Sequence, residues 1–184
     1  MVRDLELFSK RARLNTPASA TDIDEERAPS PDTHSMPPEA STMGVIERVD
    51  MINFMCHRNL SITLGPRINS IIGHNGSGKS AILTAITVTL GGKAQTTSRG
   101  SSLKDFILEG AQAAEVRVRL RNGGSDAYRP DLYGDAINIE RRIHSDGSGS
   151  WKIKNADGKT ISTKREELDA ICDHANIQVD NPMN

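Results

Sequence analysis

The sequence predicts an α/β fold organised around one glycine-rich loop. Residues 73–80 read GHNGSGKS and match the phosphate-binding pattern G-x-x-x-x-G-K-[ST]. Residues 68–72, before the loop, are rich in β-branched apolar side chains and predict a strand, while residues 79–90 are long enough for a helix. Farther along, residues 114–121 alternate apolar and charged side chains, the period of a strand with one buried face. Strand, glycine loop and helix follow one another in the order that this motif requires.

Each residue type in the loop has a role in holding phosphate. Glycines adopt backbone conformations closed to other residues, so the backbone N–H groups can line a concavity at the positive end of the following helix. The lysine is expected to reach the β and γ phosphates of ATP, and the last serine hydroxyl to coordinate Mg²⁺. An ordinary glycine turn, the alternative, leaves Lys followed by Ser unexplained. The predicted ligands of ATP are Asn75, Gly76, Ser77, Gly78, Lys79 and Ser80, with Ser80 also on the metal.

Composition divides the 184 residues into a tail and one domain. Residues 1–43 are rich in Pro, Ser, Thr and acidic side chains, and they predict a disordered tail because they bury too little apolar surface to offset chain entropy. Within this tail the basic cluster of residues 10–13, KRAR, is of the kind that nuclear import receptors read. Residues 44–184 carry 18 basic and 16 acidic side chains, so nucleic-acid binding would need a local patch.

Cysteine usage and hydropathy bound the setting of the protein. Cys56 and Cys172 form no CxxC pair, which favours a reduced intracellular compartment. A zinc site would require these cysteines to converge with His57 and His174 from distant positions, and we favour other roles for them. No run of about 18 apolar residues is present, so a soluble protein without a membrane partner is expected.

Three strands are expected before the first long helix, at residues 45–52, 60–64 and 68–72. The helix over 79–90 is apolar nearly all round, which predicts burial between layers. Ser101 or Ser102 is expected to cap a short helix that ends at Leu108.

The second half predicts a hairpin and a final helix. Residues 137–143 and 151–154 are expected to pair as strands across a turn at 146–149. Thr163 and Glu166 have the spacing of a capping box, S/T-x-x-E, at the start of a helix. The apolar positions of that helix recur at helical spacing and predict core packing: Leu168, Ile171, Cys172 and Ala175.

Hydrolysis of ATP would need more than the loop. Phosphoryl transfer also requires an acidic residue on the metal and a group that activates water. Residues 136–140 are the nearest match to an apolar strand that ends in an acid, but Asn138 interrupts the run before Glu140. The sequence therefore predicts an incomplete hydrolytic site.

Several segments resemble the N-terminal head of structural maintenance of chromosomes (SMC) proteins. They are residues 53–58 (NFMCHR), 71–85 (with the loop), 90–94 (LGGKA) and 99–104 (RGSSLK). Two later segments, 161–168 and 177–182, are similar to a eukaryotic branch of the family whose complex acts in DNA repair. The resemblance covers residues 44–184. It implies the N-terminal lobe of an ABC-type ATPase head, a mixed sheet with the P-loop helix plus antiparallel strands, which a coiled-coil arm would follow.

The resemblance also implies partners and a place of action. Hydrolysis would require the C-terminal lobe of the head and the signature motif of a partner SMC head, expected to be the fifth eukaryotic member, with non-SMC subunits attached. Double-stranded DNA would be bound in the nucleus, on chromosomes. A truncated module that binds nucleotide or DNA without hydrolysis is the alternative. A small P-loop kinase or GTPase lacks its acidic strand and base-recognition motifs here.

Further site residues follow from the resemblance alone. Arg58 and His57 would lie against the nucleotide, and Arg99 falls in the arginine loop near the phosphates. Both arginines could instead be solvated. The glutamine of the Q-loop is expected beyond Asn184, so Gln178 is not taken as that residue. DNA in related heads lies across the sheet, where the phosphate contacts would be Arg117, Arg119, Arg121, Lys152 and Lys154, although an exposed strand face is normally polar in any case.

Overall fold

The fold is one six-stranded antiparallel sheet with α1 packed across one face. A computed structural model describes residues 42–97 and 99–179. In chain order the strands and helices are β1 Ile46–Phe54, β2 His57–Thr63, α1 Lys79–Thr89, β3 Ala113–Arg121, the single turn α2 Pro130–Tyr133, β4 Ala136–His144, β5 Gly149–Lys154, β6 Thr160–Ser162 and α3 Arg165–His174. Two short 3-10 helices, Ala94–Thr97 and Leu103–Phe106, connect α1 to β3. The strands lie in the order β2-β1-β3-β4-β5-β6, and each adjacent pair is antiparallel.

Alternation of side chains on β3 explains the two faces of the sheet. Val116, Val118 and Leu120 point to the core and are fully buried, whereas the intervening arginines point to the other face. β3 lies in the interior of the sheet between β1 and β4, so the predicted strand over 114–121 is confirmed as a central strand.

The helix α1 is buried on one side only. Ile82, Ala85 and Val88 pack on the sheet, but Leu83 on the opposite side is 64% exposed. The prediction of burial between layers is therefore wrong for the described chain, because none of its elements packs on the outer face of α1.

The strand predicted at 68–72 is absent. This stretch has no strand partner in the described chain, and Ile68 and Ile72 are 93% and 92% exposed. A strand persists only where neighbours satisfy its backbone hydrogen bonds, so β-branched composition alone does not produce one here. The segment instead leads from β2 to the glycine loop as an exposed connection.

Other local predictions divide between confirmed and wrong. The strands at 45–52 and 60–64 and the hairpin formed by β4 and β5 are confirmed. The cap at Ser102 is confirmed, although the helix is 3-10, since Asp105 Oδ2 accepts the backbone N–H of Ser102 at 2.9 Å. The capping box from Thr163 is wrong because α3 begins at Arg165, with Lys164 in the cap position. The sequence did not predict α2 or β6.

The helix α3 is fixed by apolar packing and by one acidic side chain. Leu168, Ile171 and Cys172 are buried, as predicted from their spacing. Glu167 Oε1 accepts hydrogen bonds from the Tyr133 hydroxyl at 2.7 Å and from Arg129 Nη1 at 3.1 Å, which ties α3 to α2. Burial, together with this carboxylate, raises the pKa of Tyr133. In the described part of the chain, no helix is both long enough and apolar enough to cross a membrane.

Two leucine truncations test the exposure of Leu83 on the outer side of α1, with the buried Leu168 of α3 as the reference. We expect Leu168→Ala to lower the free energy of unfolding by about 3 kcal/mol, because it opens a cavity in the core. Leu83→Ala should change it by less than about 0.5 kcal/mol, because that side chain is exposed. Urea denaturation followed by circular dichroism measures both values. A loss at Leu83 that equals the loss at Leu168 would contradict the exposed outer face.

Candidate nucleotide site and charged sheet face

The glycine loop is held by the turn between β1 and β2. Gly78 has a φ of +84°, in the left-handed region that favours glycine. A Cβ at this position would overlap His57 Nε2 and lie 2.8 Å from Cys56 Sγ, so the hairpin tip rests directly on the loop backbone. His57 Nε2 also lies 3.5 Å from the Gly78 carbonyl oxygen. The first residue of α1 follows immediately, which places the helix N-terminus at the loop.

A cleft of about 440 Å³ opens between this loop and the hairpin tip. The structure brings together most of the predicted ligands there and adds Arg99 from the loop before the second 3-10 helix. The lining residues are Met55, Cys56, Asn75, Gly76, Gly78, Lys79, Ser80, Ala81 and Arg99. Ser77 is not among them; a Cβ at Gly73 would lie 2.6 Å from its hydroxyl.

Lys79 lies folded over the loop. Its Nζ donates to the carbonyl oxygens of Gly73 at 2.5 Å and His74 at 2.6 Å. An ammonium group has three donors, so one N–H remains for a phosphate oxygen. The carbonyls of Gly73 and His74 therefore hold the ammonium group at the start of the glycine loop.

Arg99 and Arg58, both predicted from the resemblance, have different positions. Arg99 lines the cleft because Phe106 anchors its loop: the ring of Phe106 lies 5.7 Å from that of Phe54, and its carbonyl accepts the Met55 N–H at 2.7 Å. Arg58 is exposed on β2 and is not among the lining residues. Adjacent residues of a strand point to opposite faces, so His57 reaches Gly78 and Arg58 does not.

The residues of the cleft fit a magnesium nucleotide. Backbone N–H groups, an ammonium, a guanidinium and the Ser80 hydroxyl are the donors and the metal ligand that a triphosphate with Mg²⁺ requires. Bound Mg²⁺ would neutralise phosphate charge, and Ser80 would be its protein ligand. Among the described residues, those that line the cleft include no carboxylate.

Neither cysteine belongs to a metal site in the described residues, where no group of three or more His, Cys, Asp and Glu converges. Cys172 is buried under α1, and its thiol lies 3.7 Å from the Leu90 carbonyl oxygen. Burial raises the pKa of Cys172 to about 11. Cys56 is exposed and packs at the hairpin tip against Gly78.

The opposite face of the sheet brings together the basic residues predicted to contact DNA. Strand register aligns Arg117 with Lys152 through Glu140, and Arg119 with Lys154 through Asn138. Arg121 lies at the end of the same β3 row. A cleft of about 720 Å³ runs along this surface.

These basic side chains are neutralised in part by acids whose pairing with them no sequence pattern indicated. Six basic and four acidic side chains form ion pairs in three separate groups, together called the charged network, in which the basic side chains exceed the acidic ones by two. Its pairs are Arg48–Asp50, Arg117–Glu115, Arg117–Glu140, Arg119–Glu47, Arg121–Glu47, Lys152–Glu140 and Lys154–Glu140.

Two carboxylates are the centres of this network. Glu47 lies at a break in register between β1 and β3, and its oxygens accept from Arg119 Nε at 3.1 Å and Arg121 Nε at 2.7 Å. Burial alone would raise the pKa of Glu47, but the bonds from Arg121 and Arg119 outweigh it and hold that pKa below its usual value. Glu140 is similar: Lys154, with Lys152 and Arg117, outweighs burial and lowers its pKa. The ion pairs of Glu47 and of Glu140 therefore stabilise the fold at neutral pH. This stabilisation is lost as the pH falls through the lowered pKa values and the two carboxylates become protonated.

A family model described as "AAA domain" matches residues 48–183. Among curated relatives, structural maintenance of chromosomes protein 6 of Schizosaccharomyces pombe is 51% identical over 142 residues. The chain belongs to the SMC family. The match covers 77% of this chain but only 12% of that relative, so the SMC segment here spans about an eighth of the relative's length.

Solved SMC heads share the fold. A structure described as "Structural biochemistry of ATP-driven dimerization and DNA stimulated activation of SMC ATPases" has a TM-score of 0.62 and 29% identity, and the match covers 72% of this chain and 80% of that one. An Smc head with an extended coiled coil from Pyrococcus furiosus, bound to the C-terminal domain of ScpA, has a TM-score of 0.63 and 30% identity, and the match covers 76% and 35%. The prediction of an α/β SMC head lobe with a P-loop helix and antiparallel strands is confirmed.

Two glycine substitutions test the packing that holds the loop of the SMC segment. Gly76→Ala has a positive φ but open space around its Cβ, so we expect a loss of about 1–2 kcal/mol from backbone strain. Gly78→Ala should lose at least about twice as much, because the methyl group also overlaps His57. Thermal unfolding with and without ATP measures the two effects. Equal losses for the two variants would contradict direct support of the loop by the hairpin.

Proposed function

We propose that this chain is the ATP-binding half of an SMC head that acts in chromosome maintenance and DNA repair. The observation that carries the proposal is the cleft in which Lys79, Ser80 and Arg99 converge on a helix N-terminus with no carboxylate among the lining residues. Such a cleft binds a polyanion but lacks the group that activates water. ATP would therefore act by joining other protein parts to this chain.

The exposed apolar surface beside the loop supports a second lobe as the first partner. Ile68 and Ile72 precede the loop, and Leu83 projects from the uncovered side of α1. In the proposed head, strands of the C-terminal lobe pair with residues 68–72 and cover α1, and that lobe supplies the catalytic acid. A partner SMC head, for which the fifth eukaryotic member is proposed, closes on the nucleotide. ATP-driven dimerization is described for the SMC ATPase of one related structure, which supports this step.

Double-stranded DNA is the proposed ligand of the charged sheet face. Arg117 is half exposed although it is paired, and the network keeps an excess of two positive charges. Phosphates would compete with Glu47 and Glu140 for the guanidinium and ammonium groups. DNA-stimulated activation is described for the same related SMC ATPase.

Further partners and a location complete the proposal. Non-SMC subunits are proposed because the P. furiosus head was solved with ScpA. A nuclear, chromosomal location rests on the basic cluster at 10–13, which lies outside the described residues, as does most of the predicted tail at 1–43.

The alternative is a module that binds nucleotide without turning it over, and the lack of a carboxylate in the cleft favours it for the chain by itself. The two hypotheses separate when the C-terminal lobe and a partner head are added. Hydrolysis that appears only in that mixture supports the head, and none in any mixture supports the module.

Nucleotide binding is tested at Lys79. We expect Lys79→Ala to weaken binding of Mg-ATP at least tenfold, because it removes a charge-assisted hydrogen bond to phosphate worth about 1.5–3 kcal/mol. Lys159→Ala, which removes an exposed lysine on the β5–β6 turn, serves as the matched control and should bind as the unmodified chain does. Isothermal titration calorimetry measures the affinities. Equal binding by the two variants would refute the P-loop assignment.

DNA binding is tested through the acid that pairs two arginines. Arg119→Gln with Arg121→Gln should weaken binding of duplex DNA and flatten the slope of log K against log salt by up to about 1.8, near 0.9 for each lost contact. Glu47→Gln should strengthen binding and steepen the slope, because it frees both guanidinium groups. Lys104→Gln changes an exposed lysine on the second 3-10 helix, outside the charged sheet face, and is the control. Fluorescence anisotropy over a salt series measures the slopes.

The control variant separates binding at the sheet face from a general charge effect. Lys104→Gln alters net charge as much as either single arginine change but leaves the sheet face intact. If Lys104→Gln weakens binding as strongly as Arg119→Gln does, DNA does not lie on this face.

A further inference from the structure

A second basic cleft lies at the other end of α1. It has a volume of about 370 Å³ and is bounded by the segment that follows α1, the loop before the second 3-10 helix and the β4–β5 hairpin. It shares no lining residue with the nucleotide cleft. The 11 residues of α1 separate the two clefts by roughly 16 Å at 1.5 Å per residue.

Arg141 is the central residue of this cleft. Its guanidinium carbon lies 3.2 Å from the centroid of the Trp151 ring, directly across the β4–β5 pair. Only 5% of the residue is exposed, and its Nε and Nη1 are buried without a hydrogen-bond partner among residues 42–97 and 99–179. Burial, with a contribution from Arg165, lowers the pKa of Arg141 to about 10, so the group is still charged at neutral pH. A buried charge without a counter-ion is costly, which indicates that the cleft takes an anion.

The charges around Arg141 are unbalanced. Three basic side chains line the cleft, Lys93, Arg141 and Arg165, and no carboxylate lines it. Arg165 pairs outside with Asp169 at 2.8 Å, whereas no acid pairs with Lys93 or Arg141 in the described chain. Two positive charges are therefore left over. This differs from the sheet face, where each of the predicted DNA contacts already has a carboxylate.

The C-terminal end of α1 would ordinarily repel an anion. Here its last carbonyls are already taken by donors. Trp151 Nε1 donates to the Thr89 carbonyl at 3.0 Å, and Arg165 Nη2 donates to the Gly91 carbonyl at 2.9 Å. The negative end of the helix is thus covered by the same side chains that border the cleft, and the cations dominate its field.

We infer that this cleft binds a phosphate dianion, either inorganic phosphate or a terminal phosphate ester, between Arg141 and Lys93. Two uncompensated positive charges match a dianion better than a single carboxylate, and planar guanidinium groups suit the oxygens of phosphate. Ser102 also lines the cleft, and its hydroxyl offers a further donor, whereas the Ser101 hydroxyl already donates to Asp105 Oδ2 at 3.1 Å. The inference does not depend on the proposed SMC function.

The chain carries its own probe of this site. Trp151 is the only tryptophan among the 184 residues, so intrinsic fluorescence excited at the indole band reports on the cleft and not on the nucleotide site. Sodium phosphate is titrated into the full chain at mildly alkaline pH, where phosphate is a dianion, and sodium chloride holds the ionic strength constant. We expect saturable quenching or a spectral shift with phosphate and with sulfate, and no saturable response to acetate.

Variants assign the response to named residues. Arg141→Met should weaken phosphate binding at least tenfold, because it removes the charged donor. Lys93→Met changes an exposed side chain, so the fold is retained, and should weaken binding several-fold. Arg142→Met, an exposed neighbour on β4, is the matched control and should change nothing. Lys79→Ala should also leave the fluorescence response unchanged. If the response came from phosphate bound at the P-loop, this variant would abolish it.

Each contrary result overturns the inference. No saturable response in the unmodified chain refutes a phosphate site. An equal response to acetate refutes the choice of a dianion, and loss of the response in Lys79→Ala assigns it to the nucleotide cleft. Equal affinities for Lys93→Met and Arg142→Met refute the placement, even if Arg141→Met fails to fold. A short DNA duplex is also added as a competitor. If it displaces phosphate only at the concentrations at which it binds the charged sheet face, a small phosphate remains the ligand of the cleft. Displacement at lower concentrations would make the cleft a nucleic-acid contact instead.

Discussion

The contact between Gly78 and the hairpin tip is the constraint on which the nucleotide cleft depends. His57 and Cys56 occupy the space where any side chain at Gly78 would lie. This contact joins the first hairpin of the sheet to the first residue of α1, so the phosphate loop is supported on a rigid element. The second support is Phe106, whose packing on Phe54 brings Arg99 to the same cleft. A loop of open glycines thus becomes a fixed surface because its neighbours are packed.

The sheet buries only one of its faces, and this determines which helices and strands the described chain forms by itself. The sheet offers one apolar face, and α1 covers it with Ile82, Ala85 and Val88. The residues before the loop have strand composition, yet they remain unpaired because no strand of the described chain lies beside them. Local preference yields an element only when a neighbour completes its hydrogen bonds or covers its apolar side.

The sequence predicted what depends on short spacing. Period two on β3, helical spacing on α3 and the motif at 73–80 each involve neighbours within about ten residues, and each is present in the fold. The acids that pair with the basic face depend on register between distant strands. Glu47 and Arg121 are 74 residues apart, and only the break in register between β1 and β3 brings them together. No pattern in the sequence reports such a pairing.

Arginines have different surroundings on the charged sheet face and in the cleft around Arg141. On the sheet face, arginines and lysines alternate with acids across strands, so their charge is distributed and exchangeable. Arg141 instead faces Trp151 across the hairpin and has no acid beside it. The pairing of Arg141 with Trp151 across the hairpin follows from the turn at 146–149, so the sequence could have predicted this pairing. Only the structure reveals that β4 and β5 lie against the end of α1 and leave this arginine buried without a counter-ion among the described residues. The Trp151 ring offsets part of its lost solvation, and the anion inferred above would offset more.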